Sequence, residues 1–129
     1  IFSACEEFDN RFVFHGYKKN VNKFMKNFDC LVLPSYREGM SNVLLHAGLN
    51  SLPSICTDVP GCREIIKNNF NGFICNEKNY KDLYSKMEKF HLLSNDMKIN
   101  MRMNSFENIK SNFTFDKVEK FYSNILLNI

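Results

Sequence analysis

Four short apolar runs divide the chain up to residue 75. They alternate little between apolar and polar positions, and Gly, Pro or Asn stands close to most of their ends. This pattern is typical of strands in a parallel sheet that is covered on both faces. The runs are residues 11–14, 29–33, 54–57 and 73–75. The sequence therefore predicts a parallel sheet of about four strands.

Apolar residues recur at helical spacing between and after these runs. The predicted helices span residues 19–28, 41–50, 62–67, 80–90 and 94–112, and Phe115, Val118, Phe121 and Tyr122 mark another in the tail. We interpret their methionine and aromatic faces as core packing. The alternation predicts an α/β fold, a Rossmann-like parallel sheet with flanking helices and a C-terminal helical tail. The 129 residues are enough for a single domain, and further strands are expected before Ile1.

A strand, a tight loop and the start of a helix are predicted between residues 29 and 47. Pro34 ends the strand and Glu38-Gly39 forms the loop. Ser41 or Asn42 can cap the helix. Open α/β sheets bind ligands where strands end and helices begin, and the free amides of a helix N-terminus suit a phosphate. We therefore expect an anion site in this loop.

Charge and cysteine content exclude several classes of function. The net charge of +3 comes from lysines scattered among acids, so the basic stripe of a nucleic-acid-binding protein is missing. The five cysteines form no Cys-x-x-Cys pair, which argues against a zinc site or a disulfide framework and favours a reducing compartment. Neither a signal peptide nor an apolar run long enough to cross a bilayer occurs in these residues.

Six blocks follow one another along the chain. They are RFVFHG at 11–16, DCLVLPS at 29–35, REGM at 37–40, NVLLHA at 42–47, TDVPGCREII at 57–66 and NGFI at 71–74. In this order they resemble the C-terminal, donor-binding domain of retaining GT-B glycosyltransferases of family four. The resemblance implies a partial GT-B C-terminal domain over residues 1–129, with upstream strands and the acceptor-binding N-terminal domain missing.

The resemblance also implies an activity. The expected enzyme transfers a hexose or N-acetylhexosamine from a nucleotide sugar, expected to be a UDP sugar, with retention of configuration. The implied acceptor is a glycan or lipid-linked oligosaccharide in surface polysaccharide or O-antigen synthesis. Neither a metal nor another cofactor is expected, and nucleic acid is not an expected partner. The implied location is the cytoplasm, with peripheral attachment at the inner face of the membrane.

Site residues follow from the same resemblance. Glu38 is implied to contact the transferred sugar as the catalytic residue; the alternative is an acid that complements a helix dipole. The backbone amides implied to hold the diphosphate belong to Gly39, Met40, Ser41, Asn42 and Val43. The loop containing Gly16 and Tyr17 is implied to hold the nucleobase, although an ordinary polar turn fits these two residues equally well.

The chain departs from the family pattern in two ways. The family has a second Glu, separated from the first by seven residues, that binds ribose hydroxyls, and His46 stands at that position. A neutral imidazole can make such a contact, but more weakly than a carboxylate. An Arg and a Lys that neutralise the leaving diphosphate in the family are also missing, so we expect this chain alone to be inactive.

Two other functions stay open. A non-hydrolysing sugar-nucleotide epimerase has a similar architecture, but it requires acid and base residues around the sugar. A non-catalytic nucleotide-binding domain is compatible with the histidine at position 46. Two further acids, Asp58 and Glu64, are interpreted as structural because they flank a turn that opens a short helix.

Overall fold

The computed structural model describes residues 11–114 and residue 117. Its parallel sheet has the order β1-β2-β3, and the strands are Leu31–Leu33 (β1), Ser54–Thr57 (β2) and Gly72–Cys75 (β3). The helices are Val21–Met25 (α1), Asn42–Leu49 (α2), Tyr80–His91 (α3) and Asn95–Asn112 (α4). This parallel sheet with flanking helices confirms the predicted fold class.

Strand β2 lies at the centre of the sheet, and all of its residues are buried. Helices cover both faces of the sheet, which explains why the strand sequences show no alternation. One core cluster contains Leu44, Cys56, Ile65 and Ile109, and the other contains Ile55, Phe73, Phe90 and Met101. The register sets Leu33 beside Cys56 and Cys56 beside Ile74, so the carboxyl ends of the strands lie at one edge of the sheet.

The predicted strand at residues 11–14 is wrong for the described part of the chain. These residues have no strand conformation, and the sheet consists of β1, β2 and β3. Phe12 and Phe14 are both 56% exposed. Val13 is likewise 67% exposed, so the large apolar side chains of this run are not buried on both faces as they are in a strand of this sheet. The sheet therefore has three strands rather than about four within residues 11–114.

The short helix predicted at residues 62–67 is a series of turns instead. Backbone hydrogen bonds close a short turn here, including that from the Ile66 amide to the Cys62 carbonyl (2.9 Å), and side-chain amides bond the backbone at its end. The carbonyl of Ile65 accepts from Asn71 Nδ2 (3.1 Å) and Asn108 Nδ2 (2.9 Å), and the amide of Lys67 donates to Asn71 Oδ1 (2.7 Å). Apart from residue 117, the tail helix predicted from Phe115 onward lies outside the described residues.

Helix α4 packs against α2 and also holds the segment that leads into β3. A Cβ at Gly48 of α2 would overlap Cγ1 of Ile109, so the two helices approach at a glycine. Buried Ser105 of α4 donates to the carbonyl of Asn71 at 3.0 Å. Within residues 11–114, no helix combines the length and apolar character that a membrane crossing requires.

Candidate functional site

The loop after β1 is anchored by the neighbouring strand. Thr57, the last residue of β2, donates its hydroxyl hydrogen bond to the carbonyl of Ser35. Ser35 in turn donates from Oγ to Glu38 Oε1 at 2.7 Å. Glu38 is half-buried, and this hydrogen bond holds its carboxylate in place. The predicted catalytic residue is thus oriented by two hydroxyl side chains that the sequence did not single out.

The loop after β2 lies directly against the loop after β1. Gly61 has a positive φ of 84°, and a Cβ there would overlap the carbonyl oxygen of Gly39. The Ser41 amide donates to the Gly61 carbonyl at 3.3 Å, and the Gly61 amide donates to Glu64 Oε2 at 2.6 Å. Glu64 is therefore structural, as predicted, because its carboxylate holds the turn against which residues 39–41 pack.

Helix α2 begins at the junction of these two loops. The first hydrogen bond of its ladder runs from the Leu45 amide to the Ser41 carbonyl at 3.1 Å. The amides of Asn42, Val43 and Leu44 therefore have no partner within the helix. They carry the partial positive charge of the helix N-terminus, which favours an anion. Leu44 was not among the residues predicted for this site.

Ser41 is the N-cap residue of α2, but its side chain makes no capping hydrogen bond, contrary to expectation. The residue is 1% exposed. Its hydroxyl oxygen is buried and has no hydrogen-bond partner among the described residues. A buried polar group is normally hydrogen-bonded. The Ser41 amide is already bonded to the Gly61 carbonyl, so the hydroxyl is the donor of this residue that has no partner among the described residues.

A groove of about 470 Å³ separates α1 from the start of α2. Its lining comprises Lys19, Asn20, Val21 and Asn22 on one side and Asn42, Val43 and His46 on the other. The His46 side chain is exposed, and its Nδ1 lies 3.0 Å from Asn22 Oδ1. The groove thus brings His46, an exposed lysine and two of the amide-bearing residues together.

Gly16 and Tyr17 line a neighbouring groove of about 510 Å³ instead. Its walls are mostly apolar, and Val21 is shared with the first groove. Gly16 has a positive φ of 60°, and the Tyr17 side chain is 92% exposed. These two residues therefore lie beside the His46 groove, on the other side of the start of α1.

The ion pair near Gly61 and the described cysteine thiols have structural roles. Asp58 pairs with Arg63 (Oδ1 to Nε, 3.0 Å) on the surface.

Burial raises the pKa of Cys30 to about 12. Burial and then the nearby Glu38 carboxylate raise the pKa of Cys62. Burial also raises the pKa of Cys56 and of Cys75, so these thiols pack the core and are poor nucleophiles.

The sequence matches one known family and several named enzymes. The family model described as glycosyl transferases group 1 matches residues 4–110. The chain is 30% identical over 133 residues to the N,N'-diacetylbacillosaminyl-diphospho-undecaprenol alpha-1,3-N-acetylgalactosaminyltransferase of Campylobacter jejuni, covering 98% of this chain and 35% of that protein. It is 28% identical over 123 residues to the UDP-Gal:alpha-D-GlcNAc-diphosphoundecaprenol alpha-1,3-galactosyltransferase of Escherichia coli, covering 92% of this chain and 31% of that protein. The chain thus spans about a third of the length of these relatives.

Solved structures agree with the sequence comparison. Anabaena HepE in complex with UDP superposes with a TM-score of 0.87 at 16% identity, over 99% of this chain and 36% of that one. The C-terminal domain of the group 1 glycosyl transferase LpcC from Francisella tularensis superposes with a TM-score of 0.75 at 16% identity, over 88% of this chain and 60% of that one. Because the family model also spans most of the residues that carry this fold, the chain belongs to the glycosyl transferases of group 1, and its Rossmann-like sheet is that of the GT-B enzymes.

Proposed function

We propose that this chain is the nucleotide-sugar-binding part of a retaining glycosyltransferase whose donor is a UDP sugar. The start of α2 carries this proposal, because its amides and the buried Ser41 hydroxyl are hydrogen-bond donors gathered at one point. Phosphate oxygens are strong acceptors that match both kinds of donor. The solved complexes of Anabaena HepE with UDP and with UDP-glucose support this donor class.

The parts of such a donor fit successive features of the site. The diphosphate binds the start of α2, with Gly39 and Met40 on the loop side and Asn42 and Val43 on the helix side. The Lys19 side chain lines the same groove and adds positive charge beside the phosphates. The ribose lies next to His46, and the base extends toward Gly16 and Tyr17. The transferred sugar lies against the half-buried Glu38 carboxylate.

The proposed reaction breaks the bond between the anomeric carbon of the sugar and the departing diphosphate oxygen. The acceptor hydroxyl oxygen bonds to the same carbon on the same face, and its proton passes to the departing phosphate. Glu38 contacts the sugar as this happens, and the amides of α2 stabilise the negative charge that develops on the diphosphate. Because these amides and a helix dipole supply the positive field, no metal is required in this proposal.

The acceptor in this proposal is a glycan or a lipid-linked oligosaccharide. The relatives from C. jejuni and E. coli are named for transfer to undecaprenol-linked acceptors, which supports this class. The acceptor site lies on an N-terminal domain that is not part of this chain, and the whole enzyme works in the cytoplasm, peripherally attached to the membrane. This chain alone is therefore proposed to be inactive.

The test is donor binding and transfer by the full-length protein. Calorimetric titration with UDP, UDP-glucose and UDP-N-acetylglucosamine, beside GDP and dTDP, is expected to favour the UDP series and to be unchanged by EDTA. Incubation with a radiolabelled donor and an undecaprenol-linked glycan is expected to label the lipid. Epimerised donor in the absence of acceptor would instead favour the epimerase, and tight binding without any transfer would favour a non-catalytic binding domain.

A further inference from the structure

Three polar side chains form a small network between α1 and α2. Asn22 Oδ1 lies 3.0 Å from His46 Nδ1 and accepts from Asn50 Nδ2 at 3.1 Å. Asn50 Nδ2 also donates to the backbone carbonyl of His46 at 2.8 Å. The network joins residues 24 and 28 positions apart in sequence, so α1 is tied to both the middle and the end of α2.

The network fixes which nitrogen of the imidazole carries the proton. A backbone carbonyl can only accept, so the Asn50 group facing the His46 carbonyl is its NH₂. The second hydrogen of that NH₂ lies toward Asn22, so the Asn22 atom facing it is the oxygen. The same oxygen faces His46 Nδ1, which must therefore be the N–H donor. In neutral imidazole the other nitrogen, Nε2, is then an acceptor.

We propose that Asn22 is a positioning residue that holds His46 as the Nδ1–H tautomer, so that Nε2 accepts a hydrogen bond from a sugar hydroxyl of the bound nucleotide. This inference rests on the proposed function. Position 46 lies four residues beyond Asn42, which is about 6 Å along a helix axis. A ribose is covalently next to the phosphate, so a diphosphate at the helix start brings the ribose hydroxyls to this depth of the groove.

The tautomer decides which part of the ligand His46 can recognise. With Nδ1 as donor to Asn22, the ring presents a lone pair and selects a group that donates. Within residues 11–114, Nε2 has no hydrogen-bond partner, and His46 lines the groove with Asn42 and Val43. The opposite tautomer would present an N–H, which a phosphate or a carbonyl would satisfy as well as a hydroxyl. Asn22 thus makes the histidine selective for hydroxyls.

The experiment compares the full-length protein with two variants at position 22. Asn22→Leu removes the acceptor, whereas Asn22→Asp keeps an oxygen that can accept from His46 Nδ1 and from Asn50. Imidazole ¹⁵N shifts at about pH 8, where free imidazole side chains are neutral, report the tautomer directly. Titrations with UDP, 2′-deoxy-UDP and 3′-deoxy-UDP report whether a ribose hydroxyl is recognised.

The wild type is expected to show Nδ1–H and to bind UDP about three- to tenfold more tightly than at least one deoxy analogue. Asn22→Leu should lose the fixed tautomer and bind UDP and that analogue equally, while Asn22→Asp keeps both properties. An Nε2–H tautomer in the wild type, or an unchanged preference for ribose in Asn22→Leu, overturns the proposal. If the wild type does not bind UDP at all, the proposed function is overturned, and the hydroxyl contact with it. The ¹⁵N shifts test the assigned tautomer independently of that result.

Discussion

Gly61 lies so close to Gly39 that a side chain at position 61 would occupy the space of the Gly39 carbonyl oxygen. The same glycine has a positive φ of 84° and accepts from the Ser41 amide. The loops after β1 and β2 therefore touch backbone to backbone, and this contact sets the position of the residues that begin α2. Gly61, which the sequence places in an ordinary turn, therefore supports the residues that begin α2.

Gly61→Ala is expected to destabilise the protein and to weaken nucleotide binding. The alanine methyl would displace Gly39 and would itself adopt a left-handed conformation, which together should lower the free energy of unfolding by about 2 kcal/mol or more. Urea unfolding and UDP titration of the full-length protein measure the two effects.

Gly39→Ala is the matched control for that substitution. A Cβ at Gly39 meets nothing within 4 Å, and its φ is not positive, so the free energy of unfolding should change by less than about 1 kcal/mol. If a diphosphate approaches this backbone, the methyl group should still weaken UDP binding. Equal stability of the Gly61→Ala variant and the wild type would contradict the contact between the two loops.

Ser41→Ala is expected to separate stability from binding. The buried hydroxyl has no partner in the described part of the chain, so its removal should leave the free energy of unfolding unchanged or raise it by about 1 kcal/mol. If phosphate oxygens accept from this hydroxyl, the affinity for UDP should fall about five- to tenfold. Chemical unfolding without ligand and calorimetry with UDP measure both quantities.

Ser94→Ala is the control for the serine substitution. Ser94 is also an N-cap, but its hydroxyl oxygen accepts from the Met97 amide at 3.3 Å. Its replacement should lower the free energy of unfolding by about 1 kcal/mol and leave UDP binding unchanged. A similar loss of stability in Ser41→Ala would mean that the Ser41 hydroxyl has a structural partner after all.

Much of the sheet could be predicted from the sequence because its strands are buried on both faces. The predicted strand 54–57 matches Ser54–Thr57, and the predicted helix 41–50 contains Asn42–Leu49. Here burial gives a local signal, namely the adjacent apolar residues Ile55 and Cys56 in a short run that follows Pro53. The loop at Glu38-Gly39 and the helix start after it were likewise placed correctly at the edge of the sheet, because both follow directly from that strand-loop-helix pattern.

Other features depend on residues far away in sequence, so no local pattern could reveal them. The turns at 62–67 do not extend into a regular helix, and at their end the Ile65 carbonyl accepts from Asn108, 43 positions away. Residues 11–14 have a strand-like pattern, but their large apolar side chains are exposed and not buried in the sheet. The contact between His46 and Asn22 could not be predicted either, since an asparagine in a polar helix turn carries no sign of its neighbour. The roles of Glu38, Gly16 and Tyr17 stay predictions.

Glu38→Gln is expected to lower kcat of sugar transfer by about 100-fold or more while keeping the loop intact. Glutamine retains an oxygen that can accept from Ser35 Oγ, so the change removes charge rather than position. A contact that stabilises charge in the transition state is typically worth this much.

Ser35→Ala should lower kcat less, about three- to tenfold, because the carboxylate stays but is no longer oriented. Steady-state transfer by the full-length protein measures both, and Glu77→Gln, at an exposed acid elsewhere, is the control. If Glu38→Gln kept more than a tenth of the wild-type kcat, the catalytic role would be excluded.

Asp82 links the end of β3 to the start of α3, and its contribution to stability should depend on pH. Its Oδ2 accepts from the Asn76 amide at 2.7 Å, and its own amide donates to Asn79 Oδ1 at 3.0 Å. The hydrogen bond from the Asn76 amide, and then Lys86, lower the pKa of this carboxyl. A carboxyl whose pKa is lower in the folded state stabilises the fold above its unfolded pKa and loses this effect as pH falls through the folded value.

Asp82→Asn keeps the size of the side chain and removes its charge. At pH 7 it should lower the free energy of unfolding by about 0.5–1 kcal/mol, since the charge also lies at a helix N-terminus. The difference from wild type should shrink as pH falls below about 4, where the carboxylate becomes protonated in the wild type too. Urea unfolding between pH 7 and pH 3 measures this, with Asp96→Asn in the first turn of α4 as the control for the helix charge alone. A difference that stays constant over this range would show that the charge of Asp82 contributes nothing to the fold.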